Sequence, residues 1–249
     1  MHTKYLVNSP PPSINKTAQI SLLLLVAIVA VATYIYVGGK PNMQELKKSV
    51  APAASLYPEA KSVSDMLNFI NDESIDTHLS EASKGRWALL YFGYTSCPDV
   101  CPIDLSKINL TYQMMENQEK LQVVFISVDP MRDIGKLDQF ASAFNPSFLG
   151  LTAHQKNLMA ISRSLGVYHE VVESQKLAQE DHSDHDSDGG HSSDSEVKDN
   201  DNKTAHYDID HTSSYLLFNP ELKLTALLTS PHEPSAMAQA IDKIIENLR

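Results

Sequence analysis

The only two cysteines of the 249-residue chain, Cys97 and Cys101, stand three residues apart in Tyr91-Phe-Gly-Tyr-Thr-Ser-Cys97-Pro-Asp-Val-Cys101-Pro102. A pair so close in sequence is no disulfide framework for a large secreted protein. It is a redox pair, a metal pair or a local staple. The thiolate is both the form that attacks disulfides and the form that binds metals, so residue type alone does not choose. Spacing is more informative. Thiol–disulfide enzymes favour Cys-x-x-Cys, whereas three intervening residues let both sulfurs face one ion.

The elements that must position this pair follow from the flanking pattern. Trp87–Phe92 (WALLYF) is a continuous apolar run, as expected of a strand buried on both faces. Pro102–Glu119 reads as a helix, with Leu105, Ile108, Tyr112 and Met115 on one stripe. Pro102 suits the first helical position, which sets Cys101 near the N-cap, where unpaired N–H groups and the helix dipole favour a thiolate. Met114 and Met115 are expected to serve packing rather than thioether ligation. Further strands are expected at Gln122–Val128, Phe148–Leu151, Val167–Val172, Thr212–Phe218 and Leu222–Leu228, and further helices at Leu137–Phe144, Gln155–Leu165 and Pro234–Leu248. Strands alternating with helices, then a hairpin and a last helix, suggest a mixed sheet flanked by helices. This is the element order of an α/β, thioredoxin-like fold.

Of ten histidines, His211 has a particular claim, because it immediately precedes the apolar run Thr212–Phe218. In a thioredoxin-like topology the loop ahead of that strand lies beside the cysteine-bearing turn. Two thiolates and one imidazole suit copper: soft sulfur favours Cu(I), and the nitrogen lets the site hold Cu(II) as well. Asp210 is a candidate to orient His211 from behind. Asp129-Pro130 and Arg132-Asp133 follow a strand on the cysteine side of the sheet, as a partner-contact loop or an internal ion pair. His232 marks a turn before the last helix.

The motif YFGYTSCPDVCP resembles the signature of the SCO/SenC family, thioredoxin-fold copper chaperones of cytochrome c oxidase assembly. The similarity continues in Ile126-Ser-Val-Asp-Pro-Met-Arg-Asp133, in Phe144-Asn-Pro-Ser-Phe-Leu-Gly-Leu-Thr152 and in Asp210-His-Thr-Ser-Ser-Tyr-Leu-Leu-Phe218. It covers roughly residues 60–248. The resemblance implies a copper site made by Cys97, Cys101 and His211. It further implies delivery of that copper to a terminal oxidase copper subunit, with other copper carriers as further partners. The rival function is a membrane-anchored thiol–disulfide reductase acting on a partner's cysteines through the same two sulfurs. Departures from the family pattern are slight: the turn at Asn219-Pro220-Glu221 lacks a common Gly, and Ile103 and Asp104 are unusual after the second cysteine.

The rest of the chain sets the context. The net charge is −11, which argues against nucleic-acid binding. Residues 180–201 hold nine acids against Lys198, so the acidity belongs to one segment. That segment lies in an insertion, 173–206, rich in Ser, Asp, His and Gly, too polar to offset its ordering entropy and expected to be disordered. Its His182, His185, His191 and His206 could collect metal ions weakly. Residues 18–37 are 20 uncharged residues, enough for roughly 30 Å of helix. They are expected to form an uncleaved transmembrane anchor between a cytoplasmic tail (1–17) and a tether (38–60), ahead of a copper-binding domain at 61–249. The resemblance implies work outside the cytoplasm, and the N-terminus has few Arg for a transit peptide. A bacterial inner membrane is therefore expected, with the domain on its periplasmic side.

Overall fold

The computed structural model describes residues 16–38, 42–173, 207–211 and 215–248. Within them, the side chains at 18, 35–38, 170–173, 207, 208, 210 and 211 lie outside the description. The insertion expected to be disordered lies almost wholly outside the described residues.

Helix α1 (Lys16–Gly38) is followed by α2 (Met43–Val50) and strand β1 (Ala54–Ser62). A small pair, β2 (Asn68–Ile70) and β3 (Asp76–His78), leads into α3 (Leu79–Ser83). The central unit is β4 (Trp87–Gly93), α4 (Val100–Met114) and β5 (Leu121–Ser127). Then come α5 (Pro130–Asp133), α6 (Leu137–Phe144), β6 (Leu149–Leu151), α7 (Gln155–Leu165) and β7 (His169–Glu173). After the insertion follow β8 (Tyr207–His211), β9 (Tyr215–Phe218), β10 (Lys223–Leu228) and α8 (Pro234–Asn247).

Six strands form one mixed sheet in the order β1-β10-β9-β4-β5-β6. β4, β5 and β6 run parallel, while β9, β10 and β1 join as antiparallel neighbours. Every residue of β4 and β5 is buried, which is why both are near-continuous apolar runs. Helices cover the sheet; α4 packs against α8, and α6 lies on β5 and β6. The α/β thioredoxin-like architecture is thus present, with β6 at the sheet edge.

Three features depart from the expectations. First, the tether expected at 38–60 holds α2 and all but the last two residues of the edge strand β1. Pro58 sits within that edge strand, where a missing N–H is tolerated, and the pairing with β10 shifts register between Leu56 and Lys61. Second, α4 stops at Met114, not Glu119. The Asp242 carboxylate of α8 accepts the N–H groups of Glu116 and Asn117 at 2.9 and 3.0 Å, and this turns the chain toward β5. Met115 faces the core and Met114 is exposed, as packing roles require.

The third is a correction. The transmembrane anchor expected at 18–37 falls within α1. Among the described residues no helix is long and apolar enough to cross a membrane. The single-pass topology and the inner-membrane placement with a periplasmic domain fall with it.

Candidate metal centre

Cys97 lies in the turn between the C-terminal end of β4 and α4, and Cys101 in the first turn of α4. This is the end of a parallel strand where open α/β sheets present their ligands. Helix α4 begins at Val100 with Asp99 as N-cap, so Cys101 is its second residue and not the cap. Asp99 makes no side-chain cap bond. The first-turn N–H of Cys101, which has no partner within the helix, instead donates to Cys97 Sγ at 3.3 Å. Pro102 follows at a position whose N–H would be unpaired in any case. Both cysteines are free thiols; Cys97 is 8% exposed and Cys101 fully buried.

The surroundings of Cys101 are asymmetric. Burial pushes its thiol up to about 12, and the hydrogen bond with Cys97 adds to this. The Tyr94 backbone and the Tyr91 side chain act on it in the opposite direction. Burial likewise raises the Tyr91 phenol, with Cys101 and Asp104 adding to it. Gly93 lies close beneath: a Cβ there would stand 2.8 Å from Cys101 Sγ and 3.2 Å from the Phe125 ring. Only a glycine lets the strand pass the sulfur at this distance. Behind the pair, Tyr91 packs edge-on against Tyr215, which stacks on His232 at 4.0 Å. His232 is therefore a buried ring, and not merely a turn residue.

The turn ahead of Cys97 is fastened from below. The fully buried Asp133 carboxylate accepts the Thr95 N–H at 2.8 Å, the Thr95 hydroxyl at 2.6 Å and the Ser127 hydroxyl at 2.6 Å. Arg132 pairs with Asp129 and lies over the Tyr94 ring. The 129–133 segment thus holds an internal ion pair, and it also bears Met131, which is 88% exposed.

His211 ends β8 and does not lie in a pre-strand loop. β8 pairs antiparallel with β7 in a two-stranded ribbon outside the main sheet. The buried Ile209 of this ribbon donates its N–H to the Tyr94 hydroxyl at 3.4 Å. Tyr94 therefore joins both parts, with its backbone acting on Cys101 and its hydroxyl on the ribbon that carries His211. Asp210 and His211 are consecutive residues of β8, and the side chains of both lie outside the description. Among the described residues no three metal-ligating side chains converge; the sulfur pair is the described part of the candidate set. His182, His185, His191 and His206 lie outside the described residues.

Sequence reasoning missed Tyr94 and Gly93, and placed Asp133 in a contact loop or ion pair without its role in holding the cysteine turn. Each sits inside a quoted motif, but the contacts that matter run from Gly93 to Phe125, from Thr95 to Asp133 and from Tyr94 to Ile209, which local pattern does not carry.

A central mixed sheet with a Cys-x-x-x-Cys turn at the end of its first parallel strand defines a thioredoxin-like protein built around a sulfur pair. The chain belongs to the SCO1/SenC family, whose profile matches residues 60–189. It is 28% identical over 168 residues to the mitochondrial SCO1 homolog 1 of Arabidopsis thaliana, covering 66% of this chain and 42% of that one. The chain spans less than half the length of this relative and of several other curated ones. The copper-bound ScoI crystal structure from Arabidopsis thaliana superimposes with TM-score 0.55 at 25% identity, over 72% of this chain and 96% of that one. The apo Sco1 solution structure from Thermus thermophilus gives TM-score 0.55 at 27% identity, over 79% and 96%.

Proposed function

We propose that this protein binds copper through Cys97, Cys101 and His211 and delivers it to the copper centre of a terminal oxidase during assembly. The observation that carries the reading is the pair of free thiols at one strand-to-helix turn, with the Cys101 backbone N–H donating to Cys97 Sγ and Tyr94 tying the turn to the ribbon bearing His211. The donor set fits the cargo: two soft sulfurs hold Cu(I), and an imidazole extends the range to Cu(II). The copper-bound ScoI relative supports copper as the ion.

The chain's own residues prepare the site in three ways. Gly93 leaves room for the Cys101 sulfur. Tyr91 and Tyr94 offer hydrogen bonds that favour its thiolate. Asp133 holds the turn from which Cys97 projects. Copper uptake displaces the thiol protons, and release follows by ligand exchange as the partner's thiolates replace these donors one at a time.

Copper titration of the purified protein tests this, followed by incubation with the copper-free copper-binding domain of a terminal oxidase subunit. One copper bound per chain, a sulfur-to-copper charge-transfer band lost in Cys97→Ser and Cys101→Ser, and transfer to the acceptor are expected. A protein that reduces the acceptor's disulfide but passes it no copper would instead be the thiol–disulfide reductase.

A further inference from the structure

Asp104 stands one turn after Cys101, and both lie on the buried face of α4. Side chains three apart on a helix are neighbours, with Cβ atoms about 5–6 Å apart. The carboxylate is 4% exposed, and its Oδ2 atom has no hydrogen-bond partner. Among the described residues it makes no ion pair. Its surroundings are two phenols and an imidazole. Tyr91 and Tyr215 stand directly opposite each other on β4 and β9, and Tyr215 stacks on His232. Burial and then the Asp104 charge raise the Tyr215 phenol, and on Tyr91 the same charge adds to burial and to Cys101. Burial lowers the His232 ring, and Asp104 acts against it there, with Lys107 opposing. A buried charge without a cation beside it is costly. Nothing described in the fold balances this one, and the adjacent sulfur pair is where a cation would bind.

We propose that Asp104 sets the oxidation-state preference of the site, its buried negative charge favouring Cu(II) over Cu(I) at the ion held by Cys97, Cys101 and His211. The inference rests on the copper site proposed above and adds to it a residue that is not a ligand. Cu(II) and Cu(I) differ by one positive charge on the same donors, so the thiol protons displaced on binding cancel from the comparison. Unit charges ~10 Å apart at an effective dielectric of ~20 interact strongly enough to change a binding constant roughly tenfold. Burial keeps salt from screening the effect as it would at the surface. Soft sulfur favours Cu(I), and Asp104 works against that preference, so that one site serves both states of the ion.

The test measures Cu(I) and Cu(II) affinities of the full chain separately, by chelator competition, in the wild type, Asp104→Asn and Asp104→Ser. Asn keeps the shape and removes the charge, whereas Ser removes both. In each variant the ratio of Cu(II) to Cu(I) affinity should fall about tenfold. That shift raises the reduction potential of the bound copper by about 59 mV, readable by spectroelectrochemical titration. Without metal, Asp104→Asn should be no less stable to urea than the wild type, because an unbalanced buried charge is gone. A merely structural role would lower both affinities together and weaken the metal-free Asn variant, and that result overturns the inference. An unchanged ratio in both variants, with copper binding lost in Cys101→Ser, also overturns it and leaves the copper site standing. Copper binding unchanged in Cys97→Ser and Cys101→Ser overturns both. Loss of folding in both Asp104 variants makes the carboxylate a structural anchor and overturns the inference as well.

Discussion

The backbone N–H of Cys101 donates to Cys97 Sγ at 3.3 Å. One sulfur thus caps the helix that carries the other. The relationship explains why a three-residue spacer suits this turn: the chain passes from strand to helix start while both sulfurs stay on one side. It also makes the pair a unit, so that replacing Cys97 removes a helix-capping acceptor as well as a ligand. Cys97→Ala is expected to destabilise the metal-free protein by about 1 kcal/mol, the typical cost of a lost cap, readable by urea denaturation, whereas Cys97→Ser, which keeps an acceptor, should cost less.

Gly93→Ala tests the closeness of strand and sulfur. The new Cβ would meet Cys101 Sγ at 2.8 Å in a fully buried position, and overpacking of this kind costs about 1–3 kcal/mol. Thermal melting should show that loss. Copper affinity should fall too, because the sulfur is the atom that must give way.

Asp133 bears on the turn and not on the metal. Asp133→Ala leaves the Thr95 N–H and the Thr95 and Ser127 hydroxyls without their acceptor. Loss of a buried network of this type costs on the order of 3 kcal/mol. Asp133→Asn retains one acceptor oxygen and should recover much of the stability. Chemical denaturation of the two variants side by side checks the difference.

Much of the fold was legible in the sequence because its centre is written in local pattern. The runs 87–92 and 122–128 are apolar throughout because β4 and β5 are buried throughout. The stripe on 155–165, closed by Gly166 at φ 73°, matches α7 to the residue. β1 was illegible for the converse reason. Most of its residues are exposed, so no alternation marks it, and only pairing with β10 makes it a strand. The β7–β8 ribbon was half legible: Val167–Val172 reads as a strand, but its partner lies across the insertion, and register between distant segments leaves no local trace. The same holds for the site. The cysteines announce themselves by type and spacing, and Tyr94 does not, since its importance lies in reaching both Cys101 and Ile209.

The raised Cys101 thiol gives a pH prediction with a definite sign. Its ordinary value is 9.0, and burial pushes it to about 12. Below pH 9 the thiol is protonated in both folded and unfolded chains. Between about 9 and 12 only the unfolded chain sheds the proton, so stability of the metal-free protein falls with rising pH, and above 12 this contribution is fully lost. Denaturation midpoints across that range should fall more steeply in the wild type than in Cys101→Ser. Copper binding runs the other way. Each thiol proton displaced at neutral pH makes affinity rise about tenfold per pH unit, readable by chelator competition.

The most direct measurement is copper affinity in His211→Ala, by chelator competition at fixed pH, beside the wild type and Cys101→Ser. The account predicts one copper per wild-type chain and at least a roughly 100-fold weaker affinity in His211→Ala, beyond the range seen for merely outer partners, with the two sulfurs still titratable as thiols. An affinity in His211→Ala equal to wild type would contradict it.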